Sequence, residues 1–232
     1  MELIVITHIM TESEILFMMT AKICHDLSAP LGAIGMGLES LKDDATDTVD
    51  LTYESYNTLE FKLNFYRTFM IPGIKGPELS DSVNLLNQYA KTKNITIYWQ
   101  DLNHTVFFFF FSRLLMGFAY IMMEPLIRGG ECSINAINKK NFSIISKGPI
   151  CPMRTEYQQI LNMKRVDQQA MNTRNIMPAF LITLANSLGY TTNFQKENET
   201  MHLSLSKKRR LASVSQPNCS QLFTTKTCQK VL

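Results

Sequence analysis

A chain of 232 residues with 45% apolar residues can bury a real core, and 19% charged residues is ordinary for a soluble protein. A net charge of +3 is too small to point to nucleic acid. Five cysteines with no CxxC pair argue against a zinc site or a disulfide framework and favour a reducing compartment.

The opening residues Met1-Glu2-Leu3-Ile4-Val5-Ile6-Thr7-His8 carry no basic region and no small-residue cleavage site, so the expected location is the cytoplasm, with no membrane partner. Thr11 or Ser13 can cap a first helix, with Glu12 and Glu14 suited to the positive end of its dipole. This helix is expected to run to about Lys42. Its apolar residues Leu16, Met19, Ile23, Leu27, Ile34, Leu38 and Leu41 fall mostly at helical steps and predict a seam against another helix. His25 lies two residues from both Ile23 and Leu27. Two helical steps turn about 200°, which points the imidazole away from the seam. Pro30 removes a backbone donor and should bend the helix just beyond the histidine. Ala29, Gly32, Ala33, Gly35 and Gly37 leave an unusually small surface that another protein can approach.

After a polar turn at 43–47, a second helix is expected over about 49–69. Its apolar face comprises Leu51, Tyr56, Leu59, Leu63, Tyr66 and Met70, widened by Phe61 and Phe65. A two-helix hairpin with so wide an apolar face cannot bury it alone. A second hairpin from an identical chain, making a dimeric four-helix bundle, is the simplest solution. Residues 71–77 hold two prolines and two glycines and read as a linker. Beyond them the pattern predicts a helix at 79–91, a strand at 94–99 and a long buried helix at 113–127 ended by Arg128-Gly129-Gly130. A strand hairpin (131–137 and 142–146), helices at 155–164 and 175–188, and a last hairpin (190–194 and 201–205) complete the pattern. The long apolar stretch 106–127 is interrupted by Arg113 and Glu124, and the run between them is shorter than the ~20 residues a membrane span needs. The fold class is therefore α+β, an antiparallel helical hairpin followed by an α/β sandwich. Its expected units are 1–75, 76–206 and a basic, polar tail at 207–232 that is expected to be disordered.

One string carries more than its periodicity. Cys24-His25-Asp26-Leu27-Ser28-Ala29-Pro30-Leu31-Gly32-Ala33-Ile34, followed by Gly37-Leu38-Glu39-Ser40-Leu41, resembles the phosphoacceptor helix of sensor histidine kinases. More closely, it resembles the ChpT-type histidine phosphotransferases of alphaproteobacteria. The order of elements over about 78–206 likewise resembles the ATP-binding domain of histidine kinases. Such kinases carry an asparagine on the long helix to hold magnesium and an Asp-x-Gly-x-Gly motif against adenine. Here the long helix has no asparagine, and Ile145-Ser146-Lys147-Gly148-Pro149-Ile150 stands where the motif belongs, without its aspartate or second glycine. The second unit is expected to be a degenerate relative that binds no ATP.

The resemblance implies a phosphorelay carrier and a homodimer. His25 would take a phosphoryl group from the receiver aspartate of a hybrid histidine kinase and pass it to receiver domains of response regulators, with Mg2+ supplied by the receiver. Asp26 either orients the imidazole or faces solvent. Lys22, Ser28 and Gly32 are candidates to meet the phosphoryl group or the receiver. Lys147 and Arg154 are candidates to dock an acidic face. The alternatives are an ATP-dependent histidine kinase and a dimeric scaffold whose histidine is unused. A metal site at Cys24-His25 is disfavoured, because adjacent helical side chains project about 100° apart.

Overall fold

The computed structural model describes residues 12–41, 48–70, 77–100, 109–138, 141–166 and 168–207. Helix α1 spans Glu12–Ser40 with Pro30 inside it, and α2 spans Thr48–Phe69. The two pack side by side, and Gly37 is what lets them close. A Cβ there would collide with the Thr52 side chain, whereas Gly32 and Gly35 face open space. The turn expected at 43–47 and most of the linker, 71–76, lie outside the described residues.

Then follow α3 (Leu79–Thr92), β1 (Ile95–Gln100), α4 (Phe109–Met123), β2 (Gly130–Asn138) and β3 (Asn141–Lys147). The chain continues through α5 (Thr155–Leu161), α6 (Ile176–Ser187), β4 (Tyr190–Glu197) and β5 (Thr200–Lys207). The strands form one sheet in the order β1-β2-β3-β5-β4, with β1 parallel to β2 and the other pairs antiparallel. Period-two alternation sends Cys132, Ile134, Ala136, Phe142, Ile144, Met201, Leu203 and Leu205 to one buried face. Helix α4 is apolar on every side because it is covered on every side, between the sheet and α2, α3 and α6.

The Arg128-Gly129-Gly130 segment is a backbone crossing rather than a helix end. Both glycines have positive φ, 76° and 146°, and a Cβ on either would strike the main chain of Asn94 or Lys147. Helix α4 has already stopped at Met123, and it starts at Phe109, four residues before the expected position. Lys207, expected to open the tail, is instead the last residue of β5. Its N–H donates to Asn141 Oδ1 at 2.9 Å, and its ammonium reaches Leu188 O and the Tyr190 ring. The rest of the expected tail, 208–232, lies outside the described residues. No described helix is long and apolar enough to cross a membrane.

The hairpin is joined to the sheet-bearing unit by one apolar stripe. Phe61, Phe65 and Phe69 recur every four residues on α2, so they share one face. Phe61 stacks on Tyr89 at 4.5 Å, Phe65 meets Tyr120 at 4.5 Å, and Phe69 meets Phe180 at 5.8 Å. Met19 of α1 belongs to the same continuous core. The rest of the predicted seam is covered only in part. Ile23 and Leu27 are half-buried against the core, whereas Leu16, Leu38 and Leu41 are exposed. On α2, Leu51, Tyr56 and Leu63 are also exposed, as is Met70 just beyond its end.

Candidate functional site

The site forms where α1 passes α2 in the half of the hairpin nearest the sheet. His25 stands outward, with 83% of its side chain exposed. Asp26, the next residue, turns the other way and is only 7% exposed. One helical step separates the two by about 100°, enough to put them on different faces. Asp26 therefore does not face solvent. Its two carboxylate oxygens accept from Lys22 Nζ at 2.6 and 2.7 Å, and Oδ2 also accepts from the Tyr66 hydroxyl. Its main-chain carbonyl accepts from Lys62 Nζ at 3.0 Å. His25 Nδ1 lies 3.4 Å from Asp26 Oδ1, a long contact at the edge of hydrogen-bonding range.

The electrostatics follow from this packing. Burial alone would raise the Asp26 pKa. The hydrogen bonds from Lys22 and Tyr66, with the charges of Lys22 and Lys62, outweigh it and hold the carboxyl below its ordinary 3.8. Burial lowers the Lys62 pKa, with the Asp26 carboxylate acting against it. Burial, then the hydrogen bond to Asp26, pushes the Tyr66 hydroxyl far above its usual 10, so it remains a neutral donor. The linkage has a definite sign. A depressed carboxylate pKa adds stability that is complete above the unfolded value and is lost as pH falls through the folded one. The melting temperature of the wild-type chain should therefore drop progressively below about pH 4. Asp26→Asn should start lower at pH 7 and lose that part of the acid limb. Parallel melting-temperature curves for the two chains would refute this account of Asp26.

The other candidates fall in different places. Lys22 is nearly buried and committed to Asp26, so it is not an outward cation. Ser28 is exposed but turns its hydroxyl back to the Cys24 carbonyl at 2.7 Å. Gly32 is exposed with nothing over it. Arg154 is exposed just before α5, its guanidinium 5.6 Å from the Tyr157 ring. Arg154 and Tyr157 line a hollow together with Glu124, between the end of α4 and α5. Lys147 is the last residue of β3, opposite Glu131 and Thr200 and beside Glu197 and Glu199. Lys62 and Tyr66 were missed by sequence reasoning. They lie 36 and 40 residues from Asp26, and their signal is a charged residue four positions before a tyrosine on a face otherwise apolar.

Between the end of α4 and α5, Glu124, Pro125, Ile127, Pro152, Met153, Arg154 and Tyr157 line a hollow of about 130 Å³. Pockets that take drug-sized ligands begin at roughly 300 Å³. Among the described residues no three His, Cys, Asp or Glu side chains gather as a metal site.

A match to the family described as histidine phosphotransferase C-terminal domain covers residues 79–200. The chain belongs to that family. This histidine phosphotransferase is 22% identical over 185 residues to the protein phosphotransferase ChpT of Brucella abortus (strain 2308), covering 74% of the present chain and 85% of the relative. Among solved structures, a bacterial phosphotransferase superposes with a TM-score of 0.72 at 19% identity, covering 85% of this phosphotransferase and 98% of the other chain. The Acinetobacter baumannii histidine kinase AdeS aligns at a TM-score of 0.45 and 9% identity, over 79% of this chain and 96% of its own.

Proposed function

We propose that His25 is the phosphoacceptor of this histidine phosphotransferase, and that it carries a phosphoryl group between receiver aspartates in a phosphorelay. The observation that carries the reading is the opposed placement of two neighbours. The imidazole is exposed while its Nδ1 edge is turned toward the buried Asp26 carboxylate. With the proton on Nδ1, the Nε2 lone pair faces outward. Nε2 attacks the phosphorus of an aspartyl phosphate, the N–P bond forms, the P–O bond to the aspartate breaks, and the carboxylate leaves. The imidazole keeps its Nδ1 proton, and the Asp26 charge faces the cation that develops on the ring. Asp26 thus orients rather than abstracts, since its oxygens are already held by Lys22 and Tyr66. The reverse sequence delivers the group to a second receiver. The divalent ion comes with the receiver, and ATP has no part, in keeping with the lack of an asparagine on α4 and of an Asp-x-Gly-x-Gly motif at 145–150.

The docking surface on this reading comprises the open small-residue surface at Gly32 and Gly35, together with Arg154 on the sheet-bearing unit. The exposed Leu16, Leu38, Leu51, Tyr53, Tyr56 and Leu63 support a homodimer closed through the hairpin, because so many large apolar side chains are costly to leave in water. The test is direct. The purified chain, mixed with a phosphorylated receiver domain and Mg2+, is expected to acquire acid-labile label and to sediment as a dimer at micromolar concentration. Absence of label would sink the carrier reading, and a monomer would sink the assembly.

A further inference from the structure

In an α-helix the N–H of each residue bonds the carbonyl four residues earlier. The residue whose N–H would close on the Asp26 carbonyl is Pro30, which has none, and its ring crowds that same carbonyl. Asp26 is buried, so water is largely excluded from the orphaned oxygen, and a buried polar group without a partner is costly. The missing donor comes from the other helix: Lys62 Nζ donates to Asp26 O at 3.0 Å. Lys62 and Tyr66 are four residues apart on α2 and so share a face. Together they hold the main chain and the side chain of the residue that adjoins His25.

We infer that Lys62 is a positioning residue for phosphotransfer, acting through the carbonyl that Pro30 leaves unbonded and thereby fixing the direction in which α1 presents His25. The inference rests on the reading of His25 as phosphoacceptor. Pro30 leaves one hydrogen bond unmade beside the reacting residue, and Lys62 replaces it with a bond that fastens α1 to α2. The orientation of His25 is then set by the hairpin as a whole rather than by α1 alone. Lys62 needs no contact with the phosphoryl group in this role.

The test is a double-mutant cycle on the full chain, read as the rate of label transfer from a phosphorylated receiver at saturating receiver concentration. Lys62→Met should slow transfer by about ten- to a hundredfold, the range that small misplacements of a reacting group produce. The receiver concentration giving half-maximal rate should stay unchanged, and Lys62→Arg should restore most of the rate. Pro30→Ala supplies the missing N–H. In that background Lys62→Met should cost little, so the double variant should match Pro30→Ala alone. An equal loss from Lys62→Met in both backgrounds would overturn the inference, because Lys62 would then act on the phosphoryl group or the receiver directly. So would no loss in either background. Should Lys62→Met fail to fold, the double variant is still expected to fold, and its failure would count equally against the inference. An inert His25→Ala chain in the same assay separates failure of this inference from failure of the phosphoacceptor reading.

Discussion

His25→Ala is expected to abolish phosphoryl acceptance while leaving the fold and its melting temperature essentially unchanged. With 83% of the side chain exposed, the imidazole makes little packing contact, and its nearest polar neighbour is 3.4 Å away. Substitutions at such positions usually move stability by no more than about 0.5 kcal/mol. The chemical loss is total because the nitrogen that would bond phosphorus is gone. Label retained on the His25→Ala chain would mean that another side chain accepts the group and that the functional reading is wrong. The same assay run on Asp26→Asn should show slower acceptance rather than none, since an amide can still face Nδ1.

The second large effect concerns the stripe that fastens α2 to the sheet-bearing unit. Phe65 is 1% exposed and its ring touches those of Phe61, Tyr66, Phe69 and Tyr120. Phe65→Ala should cost about 3–5 kcal/mol through lost burial and the cavity left behind. That is a large share of the roughly 5–15 kcal/mol by which domains are stable. Urea unfolding should show the midpoint falling sharply for Phe65→Ala and hardly at all for Arg67→Ala, an exposed neighbour on the same helix. Similar midpoints for both would mean that the two units are not energetically joined. The same stripe bears on fragments. A chain cut at residue 75 would leave Phe61, Phe65 and Phe69 in water, so the hairpin is not expected to fold alone.

Much of this architecture was legible in the sequence because it rests on local rules. Helix α3 was expected at 79–91 and is Leu79–Thr92; the final strand hairpin differs from expectation only in length. The outward His25 followed from its two-residue offset from Ile23 and Leu27. What escaped was set by contacts between distant residues. The run Phe107-Phe108-Phe109-Phe110-Phe111 has no period, so nothing local marks α4 as starting at Phe109. Gly129-Gly130 read as a stop because the crossing under Asn94 and Lys147 appears only once three segments are assembled. Asp26 was left between two roles because a helical wheel places it beside His25 without saying which neighbour covers it. Tyr66 and Lys62 settle its surroundings from across the hairpin. The four-residue spacing of Phe61, Phe65 and Phe69 was visible as apolar content, but not that it faces Tyr89, Tyr120 and Phe180 rather than another copy of the chain.

The aromatic stripe also bears on the kinetic order of the proposed traffic through His25. A tethered unit that carried its own phosphoryl donor would meet the histidine at an effective concentration that a short linker holds near millimolar. In the proposed relay the sheet-bearing unit, packed on the hairpin through Phe65 and Tyr120, brings no donor of its own, and each phosphoryl group reaches His25 with another molecule by diffusion. On the proposed function the flux is therefore bimolecular. It scales with the abundance of each partner, under an encounter rate of roughly 10⁵–10⁷ M⁻¹s⁻¹ for proteins that dock without strong steering. Two receivers competing for the same imidazole would then divide the signal by their concentrations as much as by their affinities.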